Sequence, residues 1–186
     1  MAHILHIERT IFQVYKMTAL KIVTYPDKFL KKPTRPVENI DGNLMEVVGN
    51  MGETMYSAPG IGLAAIQVGV DQSFLIYDIS PGDEERRLSL LVNPKIVEKE
   101  GEILSESEGC LSVPDYRADV KRYASIIVEA YNADEKQVRI EAHDLLSIVL
   151  QHEIDHLQGT LFIDRISSLK RQFYKRRIKK QMKRDE

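Results

Sequence analysis

The stretch Asp144-Leu145-Leu146-Ser147-Ile148-Val149-Leu150-Gln151-His152-Glu153-Ile154-Asp155-His156-Leu157-Gln158-Gly159 reads as one helix that carries metal-binding side chains. Leu145, Ile148, Val149 and His152 recur at three, four and seven residues from the first, the rhythm of one helical face. Asp144 is a favourable N-cap, and Gly159 is placed to end the run. His152 and His156 stand four apart and share a face, so both imidazoles can converge on one ion. Glu153, one step round, then reaches a water on that ion. Neutral His is a common ligand for divalent transition metals. Two satisfied core histidines are the blander alternative, but chance gives such a pattern in this composition only on the order of once in a hundred chains.

Working outward from this helix, the preceding chain is rich in strands. Phe74 to Ile79 and Leu88 to Val92 are short β-prone runs, the second closed by Asn93-Pro94. Further runs follow at Ala118 to Tyr123, Ser125 to Tyr131 and Gln137 to Ala142, with Asn132-Ala133-Asp134 as the turn between the last two. Earlier still, Asp41 can cap a helix whose apolar positions Leu44, Val47, Val48, Met51 and Met55 follow one face, and Pro59-Gly60 stops it. Helix, then strands, then helix favours the α+β class over a doubly wound parallel sheet. No repeat, low-complexity stretch or long linker interrupts the chain, so residues 1–186 read as a single domain.

Composition bounds the function. The 186 residues are 43% apolar and 29% charged with one Cys and a formal net charge of −2, the proportions of an ordinary soluble protein. A chain of this size buries enough surface to fold without staples. Its longest apolar run, Ile61 to Ile66, falls far short of the ~20 residues a membrane helix needs. No leader pattern follows the first residues, and a single thiol suits a reducing compartment, so the cytoplasm is the expected location. The net charge conceals an asymmetry: Arg165 to Arg184 holds ten basic residues and no acid. Ile166, Leu169, Phe173, Ile178 and Met182 are roughly helically spaced there, which predicts a basic amphipathic C-terminal helix over 165–186. Such a helix either docks on its own domain or meets an anionic partner such as RNA.

A catalytic metal site needs a third protein ligand and an open position for water. No His follows His156, and Glu186 is the only Glu left downstream, so the ligand comes from elsewhere. Cys110, in the expected bend Glu108-Gly109-Cys110-Leu111-Ser112, is the best candidate, because thiolate binds such metals strongly. A lone Cys is otherwise a small buried hydrophobe. Gly60-Ile61-Gly62-Leu63-Ala64-Ala65-Ile66-Gln67 adds a run of small residues that lets another backbone approach, with Gln67 offering an amide at its end; taken alone it reads as a tightly packed loop and strand start.

In order and spacing, these three segments match the three signature motifs of the peptide deformylases, which the chain resembles from about Leu20 to Lys170 and beyond. The resemblance implies antiparallel strands packed around a central metal-binding helix. It also implies removal of the N-formyl group from the initiator methionine of nascent chains, with release of formate. Cys110, His152 and His156 would hold one divalent ion, Fe(II) natively in many members, with Zn, Ni or Co as replacements. Glu153 would shuttle the proton, and the Gln67 side chain and Leu111 backbone N–H would donate to the oxyanion. Ile61, Gly62, Glu108, Leu145, Ile148 and Val149 would line the methionine pocket, and Arg117 would lie near the bound peptide. The partners expected are N-formylmethionyl peptides and, through the basic tail, the ribosome, with neither membrane nor DNA among them.

The chain departs from the family pattern at a few places. Asp144 and Glu135 stand where the family usually has Gly, and Glu106 where an apolar residue often lines the pocket. Residues 1–16 precede the usual family start, and Met17 to Val23 resembles the family's first strand, so Met17 is an alternative initiator. A metalloprotease of the His-Glu-x-x-His kind is the nearest rival enzyme, disfavoured by a Cys ligand and the other two motifs. An RNA- or ribosome-binding module is the rival from another class, and it is compatible with the enzyme.

Overall fold

A computed structural model describes residues 18–82 and 85–185 of the chain. The expected extension 1–16 and Met17 lie outside the described residues. Helix α1 (Gly42–Ser57) leads to strands β1 (Gly62–Ala64), β2 (Phe74–Tyr77), β3 (Ser89–Glu100), β4 (Ile103–Cys110), β5 (Val113–Arg122), β6 (Ser125–Tyr131) and β7 (Gln137–His143), followed by α2 (Asp144–Leu157) and α3 (Ser168–Asp185). Two antiparallel sheets form, one of order β1-β2-β3-β6-β7 and a second of β4 and β5, so the α+β expectation holds.

The larger sheet lies between two helices, and alternation sorts its side chains. Leu63, Phe74 and Ile76 pack with Leu44, Val48, Met51 and Met55 of α1. Their neighbours Ala64 and Leu75, with Leu91, Ile126 and Val128, pack with Leu150, Ile154 and Leu157 of α2. Strand β2 is covered on both faces, which is why it reads as a continuous apolar run. Asp41 caps α1 by accepting the Leu44 N–H at 2.9 Å. The other side of α2 faces β4, β5 and a third cluster containing Leu30, Val113, Val120 and Phe162.

Several local expectations are corrected. Asn93-Pro94 does not end a strand: β3 runs on to Glu100 through a bulge, with Asn93 at φ 51 and its amide bridging Val37 N and O at 2.9 Å each. No strand forms over 18–23. That segment instead latches on by Leu20 N–H to Thr54 Oγ1 (2.7 Å) and Val23 N–H to Gln67 O (2.7 Å). Asp144 is not the cap of α2. His143 occupies that position, and Asp144 opens the helix at φ 47, a left-handed conformation that glycine adopts without cost. Glu135, at φ 60, is the same case in the β6–β7 turn. Gly159 does close α2, at φ 71, and a Cβ there would lie 2.6 Å from Lys31 O.

The C-terminal segment docks by only part of the expected stripe: Ile166 is buried in the third cluster and Ile178 packs against it, but the rest stays exposed. Leu169 and Phe173 are 62% and 61% exposed and Met182 is exposed, whereas Tyr174 is 2% exposed and packs with Tyr116 and Phe162, with Ile178 beside them. Tyr174 lies outside that stripe because the ring that buries best here carries a hydroxyl.

Candidate metal centre

Cys110 ends β4 at a tight turn, Leu111-Ser112, that returns the chain into β5, with Cys110 paired to Val113. The segment read as a bend is thus a hairpin end. On α2, facing this turn, His152 and His156 point the same way, as their spacing requires. Cys110 Sγ lies 3.1 Å from His156 Nε2, which lies 3.3 Å from His152 Nε2, and the three ligand atoms are all within 4.8 Å of one another. A tetrahedral ion with bonds of about 2.0–2.3 Å separates its donors by about 3.3–3.6 Å, so one soft and two imidazole donors at this spacing fit a single divalent transition metal.

Glu108 of β4 sets the orientation of His152. Its Oε1 lies 2.7 Å from His152 Nδ1, which leaves Nε2 to face Cys110 and His156. The same carboxylate accepts two hydrogen bonds from Arg122, at 2.6 and 3.1 Å. Arg122 also donates to Asp155 on α2 at 2.6 Å, and Arg165 closes the far side of Asp155. Burial by itself would raise the Glu108 carboxyl, but the bonds from His152 and Arg122 outweigh it and hold it at about 2. Burial would lower His152, yet hydrogen bonds to Cys110 and Glu108 raise it well above its ordinary value. For His156, burial and the neighbouring charges of His152 and Arg122 act together and lower it.

Glu153 is buried, and its Oε2 has no hydrogen-bond partner among the described residues. Burial is the main cause that pushes this carboxyl up to about 7; the His152 charge opposes the shift and the Glu108 charge adds to it. A Cβ on Gly62 would lie 2.6 Å from Glu153 Oε1, so only glycine lets β1 pass this close. The Gln67 amide is fixed at both ends. Its oxygen accepts the Ala64 N–H at 2.8 Å, and its nitrogen donates to Ser112 Oγ at 3.2 Å and lies 3.6 Å from Cys110 Sγ.

A cleft of about 880 Å³ opens over these groups. Ile61 just before β1, Gly62 of β1, Leu145, Ile148 and Val149 from α2, and Leu111 from the turn line it beside His152 and Glu153. Glu108 lines it too, although its carboxylate is spent on His152 and Arg122. Arg117 and Glu106 stand at the exposed rim, with Arg117 donating to Ser107 O at 3.2 Å. The structure thus brings together every site residue read from the sequence, with His156 fully buried at the back.

Sequence reasoning missed Arg122, Asp155 and Arg165 as a linked set, together with Phe162, whose ring stacks 6.2 Å from that of His152. Asp155 stands in plain view between the two histidines. The partners that give it meaning are 33 and 10 residues away, beyond any local pattern.

Similarity to known proteins agrees with this geometry. A sequence model of the polypeptide deformylases matches residues 19–172. The chain is 51% identical over 167 residues to a peptide deformylase of Syntrophobacter fumaroxidans, covering 90% of this chain and 98% of that one. A crystal structure of a peptide deformylase from Legionella pneumophila superposes with a TM-score of 0.82 at 40% identity, over 90% of this chain and 98% of the other. A Met-Ala-Ser-bound class I type b peptide deformylase from Acinetobacter baumannii does so with a TM-score of 0.76 at 31% identity, over 80% and 99%.

Proposed function

We infer that this chain, which belongs to the polypeptide deformylase family, works through an ion held by Cys110, His152 and His156 with Glu153 as its proton carrier. The protein is a hydrolase that removes the N-formyl group from the N-terminal methionine of newly synthesised proteins and releases formate. The observation that carries the residue assignment is Glu153 Oε2, a buried carboxyl oxygen without a partner among the described residues, next to a ligand set of metal-binding dimensions.

A divalent ion at this site supplies Lewis acidity, which makes water a competent nucleophile near neutral pH. Glu153 accepts the proton of the attacking water and delivers it to the leaving amine; with its carboxyl near 7, both states are accessible. The Gln67 Nε2–H, pre-aimed past Cys110, and the Leu111 N–H at the hairpin turn donate to the developing oxyanion. Leu145, Ile148, Val149, Ile61 and Gly62 form the wall that takes the methionine side chain, with Glu108 holding the ligand behind it. Arg117 borders the path of the peptide beyond methionine. The Met-Ala-Ser seen in the Acinetobacter relative supports the same occupancy here.

The native ion is Fe(II), with Zn, Ni and Co able to replace it, as one thiolate and two imidazoles accept any of these. The enzyme acts in the cytoplasm, where nascent formylated chains arise. Among the described residues no helix is long and apolar enough to cross a membrane. The basic face of α3, with Leu169 and Phe173 exposed on it, supports docking on the ribosome. Metal content and formate release from N-formyl-Met-Ala-Ser, compared between the wild type and Cys110→Ala, test the site. Near one ion per chain with rapid formate release, both lost in the variant, is expected. Metal retained without Cys110 and no formate from either protein would overturn the assignment.

A further inference from the structure

Helix α3 is tied to the wall of the substrate cleft at two points. Tyr174 stacks on Tyr116, a cleft-lining residue, with ring centroids 4.5 Å apart. One turn further on, Arg177 Nη2 donates to the backbone oxygen of Asp115 at 2.7 Å. Asp115 also lines the cleft and sits at φ 58, the left-handed region that Asp enters at a smaller cost than most residues with a side chain. The Arg177 guanidinium, 6.0 Å over the Tyr174 ring, bridges the two ties. Tyr116 in turn stacks at 6.0 Å on Phe162, whose ring faces His152.

We propose that Tyr174 and Arg177 are positioning residues that hold Asp115 and Tyr116 in the shape the peptide needs beyond its methionine. The proposal rests on the deformylase reading for its substrate, and on the structure for its geometry. The ligands and the methionine wall are carried by α2, β4, β1 and Ile61 just before it, whereas Asp115 and Tyr116 are carried by β5. The outer wall at 115–116 is anchored from α3. The work is done by the Tyr174 ring, not its hydroxyl, because that hydroxyl is buried without a hydrogen-bond partner among the described residues.

The test compares Tyr174→Leu, Tyr174→Phe, Arg177→Ala and the charge control Arg176→Ala, each loaded with metal. For N-formyl-Met-Ala-Ser, Tyr174→Leu and Arg177→Ala should raise KM about tenfold with kcat little changed, the size of one lost contact. N-formylmethionine amide, which ends before the wall, should keep its KM in both. Tyr174→Phe and Arg176→Ala should match the wild type on both substrates. Amide hydrogen exchange at 113–117 should speed up in Tyr174→Leu and Arg177→Ala alone. Equal KM changes on the two substrates, a Phe variant that behaves like Leu, or unchanged exchange at 113–117 would each overturn the proposal. A wild type that releases no formate would defeat the deformylase reading instead, and the exchange measurement would still decide the tie. If Tyr174→Leu does not fold, Arg177→Ala carries the same comparison.

Discussion

Glu108 Oε1 and His152 Nδ1 lie 2.7 Å apart, and through that contact a strand with almost no apolar inward positions fixes the ring of a candidate metal ligand. The link runs on through Arg122 to Asp155 and so returns to the ligand-bearing helix. Residues 152 and 155 are held from outside by one continuous set of charged hydrogen bonds, which costs desolvation but leaves the imidazole one orientation.

Glu108→Gln should weaken metal binding by about 10- to 100-fold, the usual effect of losing a partner that orients a ligand. Competition with a chromophoric chelator measures it, and an unchanged affinity would show that His152 needs no help. The same carboxyl gives a pH signature. With its value held at about 2 in the fold against 4.5 otherwise, its contribution is full above pH 4.5 and is lost as pH falls toward 2. This amounts to roughly 3 kcal/mol at neutral pH. Wild type and Glu108→Gln should therefore differ in urea stability at pH 7 and converge in acid.

Glu153→Gln should keep the metal and lose on the order of a hundredfold or more of turnover, because an amide cannot carry the proton. A variant of near-normal rate would remove Glu153 from the reaction.

Glu135→Gly and Asp144→Gly should each raise stability. Both residues hold positive φ, where a side chain costs about 1–2 kcal/mol. Part of that gain is offset by the entropy of an added glycine, leaving about 0.5–1 kcal/mol for Glu135 and less for Asp144, which tolerates this region better. Thermal unfolding reads the result, and a lower Tm in Glu135→Gly would refute it.

The tail offers a cut that the sequence alone places badly. Removing the residues after Ser168 to isolate ribosome binding while turnover remains is the natural design from sequence, but it deletes buried Tyr174 and the Arg177 tie. That truncation should cost about 3–5 kcal/mol, as loss of a buried aromatic does. Ending the chain at Lys179 keeps both residues and still removes three basic side chains, Lys180, Lys183 and Arg184, from the helix end. It should weaken ribosome binding in low salt with formate release unchanged. Equal affinity with and without the segment would end the docking proposal.

Peroxide should inactivate the Fe(II) form faster than the Ni form, since the thiolate of Cys110 is exposed to chemistry that the iron promotes. Identical inactivation of the two forms would count against it.

What the sequence by itself determined is whatever local period and residue chemistry carry. His152 and His156 had to share a face with Val149 because a helix has 3.6 residues per turn. Ser125–Tyr131 announced itself by β-branched residues, and Asp41 by its capping chemistry. Strand β4 was invisible because its inward positions, Ser105 and Glu108, are polar, and Glu108 pairs with groups 14 and 44 residues along the chain. Asn93-Pro94 read as a stop because the bulge that carries β3 through it depends on Val37, 56 residues earlier. Tyr174 falls outside the apolar spacing of its helix because its worth lies in stacking on Tyr116. Only the tertiary structure could decide these, since a buried charge, a bulge or a stacked ring is stabilised by a partner that no local pattern names.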